Sequence, residues 1–248
     1  MAKEVFTRHE LKFLIDRHTY GKIYKALMPY LVVDQHANKQ GYYTVSNIYY
    51  DTKDDLFHYE KMKGQDFRQK LRLRTYGHSD LDSESYLEIK KKHKGLVNKR
   101  RTALRLRDAY RFLEVDEIDN NDLIDNTNAS NIQILKEVAF LKKFYTLEPK
   151  VALCYERQAF QGKEDNELRI TFDDNLRKRH HNLRLELGSE GASYVSRDIF
   201  VLEIKVNDTI PLWLARILSQ FSCSVQSFSK YSTSHNAIDT IARQRKTG

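Results

Sequence analysis

The most constraining feature of this chain is a set of short segments in which basic residues, and a few glutamates, occupy every second position. The densest is Lys70-Leu71-Arg72-Leu73-Arg74. Because side chains alternate between the two faces of a β-strand, this segment would place three cations on one face and two leucines on the other. One such strand is ordinary on a solvated sheet. Several of them, spread along the chain, favour a closed sheet whose cationic lumen surrounds a polyanion.

Period-two alternation, helical spacing and turn residues predict the order of the elements. A strand in residues 3–13 precedes a helix that Asp16 caps and that runs through Leu27, Tyr30 and Leu31. A helix also opens with Pro211 at its first position. The other predicted helices are 54–61, a largely helical stretch 108–144, and 229–242. The other predicted strands are 42–50, 67–76, 85–92, 96–106, 150–161, 167–177, 183–187 and 199–206.

These elements predict an α+β fold built on an antiparallel β-barrel. Most connections are too short for the crossovers that parallel strands require. About eight strands close into a barrel just wide enough for one elongated ligand. Helices would pack outside against the apolar strand faces. With 9 Gly and 3 Pro the chain offers little linker-like sequence, so residues 1–248 are predicted to form a single domain.

The charge of the chain points to an anionic partner. The formal net charge is +8, which suits nucleic acid, phosphorylated small molecules, polyphosphate or a membrane surface, and charge alone does not choose among them. Tyr42, Tyr43, Tyr49 and Tyr50 could stack on nucleic-acid bases, but their positions fit a half-buried strand better. No nucleic-acid partner is expected.

Sequence features that report on compartment favour the cytoplasm. The first residues contain no apolar run that could act as a signal peptide, and no stretch approaches the roughly 20 apolar residues that span a bilayer. Cys154 and Cys223 are too few for a disulfide framework, which makes a reducing compartment the expectation. A membrane-protein partner that accepts the product is compatible with this, although no residue argues for one.

Eight motifs along the chain resemble, in order, the catalytic domain of the vacuolar transporter chaperone (VTC) family. That family comprises polyphosphate polymerases within the triphosphate tunnel metalloenzymes, also called CYTH-like proteins. The motifs are Arg8-His9-Glu10-Leu11-Lys12-Phe13, Asn47-Ile48-Tyr49-Tyr50-Asp51, Leu71-Arg72-Leu73-Arg74-Thr75-Tyr76-Gly77, Leu87-Glu88-Ile89-Lys90-Lys91-Lys92, Tyr155-Glu156-Arg157-Gln158-Ala159-Phe160, Arg169-Ile170-Thr171-Phe172-Asp173, Leu202-Glu203-Ile204-Lys205 and Phe228-Ser229-Lys230-Tyr231.

The resemblance implies a specific activity, ligand set and cofactor. It implies transfer of the terminal phosphoryl group of ATP to a growing polyphosphate chain, with a divalent metal, Mn²⁺ or Mg²⁺. The implied ligands are ATP, polyphosphate, pyrophosphate and phosphate. Glu203 matches the metal-coordinating glutamate. The implied phosphate-binding cations are Lys12, Arg72, Arg74, Lys90, Lys99, Arg157, Arg169 and Lys230, and all of them except Lys99 are also expected to act in catalysis.

The alternation pattern adds residues to this set. Arg101 and Lys205 share the predicted lumen face and are expected to bind phosphate. Glu10 and Glu88 face the same lumen as Glu203, and carboxylates suit a hard cation such as Mg²⁺ or Mn²⁺. For each glutamate the alternative is an ion pair with a neighbouring lysine, and for the arginines it is a solvated strand edge.

The chemistry of the predicted lumen leaves three functions open. Phosphoryl transfer needs positioning and charge stabilisation, which arginine and lysine clamps with a metal supply. A phosphate acceptor is already ionised, whereas hydrolysis requires a water to be oriented and deprotonated. Many cations and few carboxylates therefore favour a polymerase. A hydrolase of tripolyphosphate or nucleoside triphosphate, and a non-catalytic polyphosphate-binding module, are the alternatives.

Overall fold

The computed structural model describes residues 9–34, 37, 41–94, 96–114, 127–207 and 209–235. The chain forms two compact units, each discontinuous in sequence. The first unit contains Val45–Leu153 and Lys178–Glu190. The second contains the described residues of 9–44 and 191–235, together with Cys154–Arg177.

In both units, every strand pair whose register is defined is antiparallel. In the second unit β1, β10, β8 and β7 are neighbours in that order, and β2 and β9 pair with β7 and β8. In the first unit the order is β3, β4, β5 and β6. The strands of the described residues are β1 (His9–Asp16), β2 (Leu31–Val33), β3 (Tyr42–Asp51), β4 (Phe67–Tyr76), β5 (Glu84–His93), β6 (Leu96–Arg105), β7 (Glu148–Gly162), β8 (Arg169–Arg179), β9 (Ala192–Ser193) and β10 (Ile199–Val206).

Helices connect the strands, and three of the described helices begin at a side-chain cap. The Asp16 carboxylate accepts a hydrogen bond from the Thr19 amide at 2.8 Å and so starts the first helix. None of the helices in the described ranges is long and apolar enough to cross a bilayer. They are α1 (Arg17–Leu27), α2 (Leu56–Met62), α3 (Leu106–Glu114), α4 (Ile132–Tyr145), α5 (Leu212–Gln220) and α6 (Lys230–Ser234), with 3-10 turns at Met28–Tyr30 and Leu185–Leu187.

Each unit has its own core on one face of its strands. In the second unit the alternate residues Phe200, Leu202 and Ile204 of β10 pack with apolar residues of α1 and α5. In the first unit Leu71 and Leu73 of β4 belong to a core that includes residues of β5, α3 and α4. Because the core takes one residue in two, the intervening charged residues lie on the opposite strand face.

Most of the predicted strands and helices are confirmed, and three predictions are corrected. Strand β2 begins at Leu31 because α1 ends at Leu27 and the 3-10 turn that follows, which contains Pro29, ends at Tyr30. Residues 183–187 were predicted as a strand but contain the 3-10 turn Leu185–Leu187. Pro211 precedes α5 as its N-cap and is not its first helical residue. The stretch 108–144 contains α3 and α4; residues 3–8, 115–126 and 236–242 of the predicted elements lie outside the described residues.

Candidate functional site

Buried and half-buried charges gather on the polar strand face of the second unit. We call this group the Glu203 cluster. It combines four cations with three carboxylates and draws them from four strands and the first residue of α6. Its members are Glu10, Lys12, Arg157, Asp173, Glu203, Lys205 and Lys230.

Strand register explains why these residues meet. In the antiparallel pair of β1 and β10, Lys12 lies directly opposite Glu203, and Glu10 lies directly opposite Lys205. Opposite charges at directly facing positions stabilise an antiparallel pair. The alternation that predicted these four residues on one face is therefore confirmed for the second unit.

The carboxylate of Glu203 is the centre of the cluster. It is buried and lies 2.9 Å from the ammonium of Lys230 and 3.5 Å from that of Lys12. Arg157 and Lys205 approach its other oxygen at 3.7 and 3.8 Å. Burial alone would raise the pKa of Glu203, but the surrounding cations, first Lys12 and Lys230, hold its pKa well below the usual range. Glu203 therefore stays ionised.

Asp173 is a second buried anion, and the sequence analysis did not assign it a role. The guanidinium of Arg157 binds its carboxylate in a bidentate manner, with N–O distances of 2.6 and 2.7 Å. The ammonium of Lys230 lies 2.5 Å from its second oxygen. Asp173 thus fixes two phosphate-binding candidates at once. The sequence contains one signal for such a role: Asp173 lies two residues after Thr171 and therefore on the same, polar face of β8.

Lys230 reaches the cluster because the preceding segment lies alongside β1. The Gln226 amide donates to the Lys12 carbonyl at 2.8 Å, and the Lys12 ammonium donates to the Phe228 carbonyl at 3.3 Å. The hydroxyl of Ser229 then accepts from the Ser232 amide and caps α6. This arrangement holds Lys230, at the start of α6, against β10 and β8.

Lys205 and Arg169 form the more open side of the cluster. They face each other across β10 and β8. Burial lowers the pKa of Lys205 to about 8, against the opposing charges of Glu203 and Glu10. The Arg169 guanidinium is 42% exposed and lies 3.1 Å from Asp34 and 3.4 Å from the hydroxyl of Tyr43. Both cations are accessible to a ligand.

The first unit contains a second group, the Glu88 cluster, which consists of Arg72, Arg74, Glu88 and Lys99. The guanidinium of Arg72 and the ammonium of Lys99 each lie 2.6 Å from the buried Glu88 carboxylate. Arg74 lies 3.9 Å from it. Three cations therefore share one anion, and the group carries a net positive charge.

Neighbouring residues orient the two arginines of this cluster. Arg72 donates to the Tyr49 hydroxyl at 2.9 Å. Arg74 donates to the side-chain carbonyl of Asn47 at 2.7 Å. With its hydrogen-bonding partners in place, the planar fork of a guanidinium can present its remaining N–H groups to phosphate oxygens.

Lys90 and Arg101 lie beside the Glu88 cluster on the same strand face. Lys90 is directly opposite Lys70 on β4 and Lys99 on β6, which makes a row of three lysines. Arg101 is opposite Glu88 and places its guanidinium 4.9 Å from the ring centre of Tyr86. Like charges at facing positions repel each other, and a bound polyanion would relieve that repulsion.

Glu88 and Lys99 have opposite responses to burial. Burial would raise the pKa of Glu88, but Arg72 and Lys99 hold it well below its usual range. Burial, together with the charges of Arg72 and Arg74, lowers the pKa of Lys99 to about 7 against the opposing charge of Glu88. Lys99 therefore titrates near neutral pH, while Glu88 remains ionised.

The carboxylates differ in how well they suit a divalent cation. Across the described ranges, no three His, Cys, Asp or Glu side chains come together as a ready metal site. Glu203 and Glu10 share Lys205, which lies 3.7–3.8 Å from an oxygen of each. Such a pair suits Mg²⁺ or Mn²⁺ that arrives with phosphates, because one or two carboxylates commonly complete that coordination. Cations lie 2.6 Å from each oxygen of Glu88, whereas the cations at the second oxygen of Glu203 lie 3.7–3.8 Å away. The closer contacts favour the alternative for Glu88, an ion-pair partner.

The structure thus gathers the predicted residues into two groups. The Glu203 cluster collects Lys12, Arg157, Lys205 and Lys230, with Arg169 beside it. The Glu88 cluster collects Arg72, Arg74 and Lys99, with Lys90 and Arg101 beside it. That all of them line one lumen stays a prediction.

Solved structures share this fold. A putative adenylate cyclase from Bacillus halodurans matches with a TM-score of 0.54 at 15% identity, covering 92% of this chain and 96% of that one. A putative adenylyl cyclase from Hippeastrum with a dominant triphosphatase activity matches with a TM-score of 0.53 at 14% identity, covering 94% and 95%. The predicted fold class, an α+β antiparallel fold of the triphosphate tunnel type, is confirmed.

Sequence comparisons identify the family to which this chain belongs. Subunit 4 of the vacuolar transporter chaperone complex from Trypanosoma cruzi is 23% identical over 278 residues, and its Trypanosoma brucei brucei counterpart is 23% identical over 272. Each alignment covers 93% of this chain but 34% of the relative, so the chain spans about a third of their length. The family model of the VTC domain matches residues 7–238, and the chain therefore belongs to the VTC domain family.

Proposed function

We propose that this protein is a metal-dependent phosphotransferase that extends polyphosphate at the expense of ATP. The terminal phosphate oxygen of the acceptor chain would attack the γ-phosphorus of ATP. The bond from the γ-phosphorus to the bridging oxygen breaks, ADP leaves with that electron pair, and the polymer gains one phosphate unit. The observation that carries the proposal is the excess of cations over carboxylates in both clusters, four to three around Glu203 and three to one around Glu88.

The cations have distinct tasks in such a transfer. Arg157 and Lys230 are buried and fixed by Asp173, so they need little reorganisation when phosphate binds. Fixed donors in a water-poor site stabilise charge that develops on the transferred phosphoryl group. Lys12 and Lys205, which are more exposed, would neutralise neighbouring phosphates of the substrate. Glu203 and Glu10 would hold a divalent cation, which would supply charge neutralisation to the bound phosphates.

The electrostatics of the carboxylates favour transfer to phosphate over hydrolysis. Burial raises and the neighbouring cations lower the pKa values of Glu203, Glu88 and Asp173, and the cations prevail. A carboxylate with a depressed pKa is a weak general base and activates water poorly. A polyphosphate end needs no such base because its attacking oxygen is already ionised.

Hydrolysis of triphosphate is the second candidate. It is supported by the triphosphatase activity of the Hippeastrum protein that shares the fold. The decisive assay incubates the protein with ATP, Mn²⁺ or Mg²⁺ and a short polyphosphate primer, and follows chain length on gels together with orthophosphate release. Chain growth supports the polymerase. Orthophosphate release without growth supports the hydrolase, and tight binding without turnover supports a non-catalytic module.

Variants make the assay specific to the proposed residues. Lys230→Met should reduce chain growth by at least about a hundredfold, the scale seen when one fixed donor to a transition state is lost. Lys136→Met is the matched control because Lys136 is exposed on α4. Equal activity of the Lys230→Met and Lys136→Met variants would contradict the assignment of Lys230.

We further propose that the reaction takes place in the cytoplasm, a reducing compartment consistent with the two free cysteines.

A further inference from the structure

Helix α4 exposes two large aromatic side chains. Phe140 is 61% exposed and Phe144 is 66% exposed. Their rings stack on each other with centroids 5.4 Å apart and an interplanar angle of 22°. Two exposed phenylalanines in contact form an apolar surface that the core does not use, and such surfaces mark interaction sites.

The aromatic pair lies on the side of α4 that faces away from the core. The buried residues Ile134, Leu135 and Val138 pack into the first-unit core. Phe140 and Phe144 are one turn apart, and the helical repeat places them opposite that buried stripe. The core is therefore satisfied without them, and their apolar rings face the surroundings of the protein.

Exposed lysines flank the aromatic pair, and the nearby acids are neutralised. Lys136 lies one turn before Phe140, and Lys143 lies one turn after it; both are exposed. Glu137 is held 2.6 Å from Lys91 and 2.6 Å from Arg100. Glu148, beyond the helix end, lies 3.2 Å from Lys150. Among the described residues, the local charge around the phenylalanines is positive.

We propose that this face of α4 binds the surface of an anionic lipid bilayer. Aromatic rings inserted at the headgroup boundary, with lysines at the anionic headgroups, are the pattern of interfacial helices. A stable protein–protein interface needs about 20–30 residues on each side, far more than one helix face with two aromatic anchors supplies. The proposal concerns a surface outside both charge clusters and does not depend on the phosphotransferase activity.

Vesicle sedimentation of the full chain tests the proposal. Wild type should sediment with vesicles of phosphatidylcholine and phosphatidylglycerol, and more weakly with phosphatidylcholine alone or in added salt. Phe140→Ser combined with Phe144→Ser should lower the partition coefficient at least about tenfold, because both apolar anchors are lost. Lys136→Glu combined with Lys143→Glu should lower it similarly for anionic vesicles only.

Matched controls separate binding from damage to the fold. Leu212→Ser removes a residue that is 65% exposed in the second unit and should leave sedimentation unchanged. All variants should keep the wild-type melting temperature and its response to tripolyphosphate. The proposal is overturned if wild type stays in the supernatant or if the Phe140/Phe144 variant sediments like wild type. A wild-type dimer that this variant dissociates, without vesicle binding, would instead assign the face to a second copy of the chain.

Discussion

At the scale of single residues, a substitution of Asp173 tests whether Arg157 and Lys230 bind phosphate or only stabilise the fold. Asp173→Asn leaves the buried Arg157 and Lys230 with one shared carboxylate, that of Glu203, instead of two. Removing one partner of a buried ion pair typically costs 3–5 kcal/mol. We expect the free energy of unfolding to fall by about 3 kcal/mol, and tripolyphosphate to restore more stability to this variant than it adds to wild type, because phosphate oxygens replace the lost carboxylate.

Chemical denaturation with and without tripolyphosphate measures both quantities. Asp198→Asn is the control, since the Asp198 side chain is 77% exposed. A loss that is the same in the presence and absence of tripolyphosphate would mean that Arg157 and Lys230 do not bind phosphate.

Lys99 predicts a pH dependence of anion binding. Its pKa is lowered to about 7, first by burial. Below pH 7 the Lys99 side chain is already protonated. Above pH 7 it is neutral, and binding of a polyanion requires it to take up a proton. Affinity for tripolyphosphate should therefore fall as pH rises from 7 to 9, by at most about tenfold per pH unit, since one proton is taken up.

Calorimetry in two buffers with different ionisation enthalpies counts the protons taken up. Lys99→Arg keeps the charge at every pH and should remove most of the effect. The remainder is assigned to Lys205, whose burial-lowered pKa is about 8. Proton uptake that Lys99→Arg leaves unchanged would contradict this origin.

At the scale of elements, Arg179 holds the segment that follows β8. Its buried guanidinium donates to four backbone carbonyls, those of Asn182, Arg184, Gly188 and Glu190, at 2.6–3.1 Å. Arg179→Met would leave these acceptors without their donor. We expect faster hydrogen exchange across residues 180–190 and a loss of about 2–4 kcal/mol in stability. Arg197→Met, at an exposed position, is the control, and equal exchange in both variants would refute the role.

The same segment shows what the sequence could predict about elements. Strands β4 and β10 match their predicted ranges, and each contains a run that alternates between charged and apolar residues, 70–74 in β4 and 202–206 in β10. Residues 183–187 also alternate, yet the Arg184 carbonyl accepts a hydrogen bond from Arg179, and Leu185–Leu187 form a 3-10 turn. A donor several residues away decides this conformation, and local periodicity does not contain it.

The two clusters likewise show which features of the site could be predicted from the sequence and which could not. Period two was sufficient to predict which cations share a face, as for Lys12 and Lys205. It could not show that Asp173 would bind Arg157 or that Glu88 would be enclosed by Arg72 and Lys99. Those contacts depend on how neighbouring strands pair: β5 lies between β4 and β6, and β7 lies beside β8. The periodicity within one strand does not determine that pairing.

At the scale of the whole molecule, a chain of net charge +8 concentrates cations where like charges face each other, as in Lys70, Lys90 and Lys99. A ligand that binds only the folded state stabilises it by mass action, by about 2.7 kcal/mol at a hundred times its Kd. For a chain of this size we expect tripolyphosphate to raise the melting temperature by about 5–10 °C.

Sodium chloride at equal ionic strength should give a much smaller shift in melting temperature, because screening does not supply oriented oxygens. Lys230→Met combined with Arg72→Met should lose most of the tripolyphosphate effect, and a melting temperature that responds equally to both salts would contradict a built polyanion site.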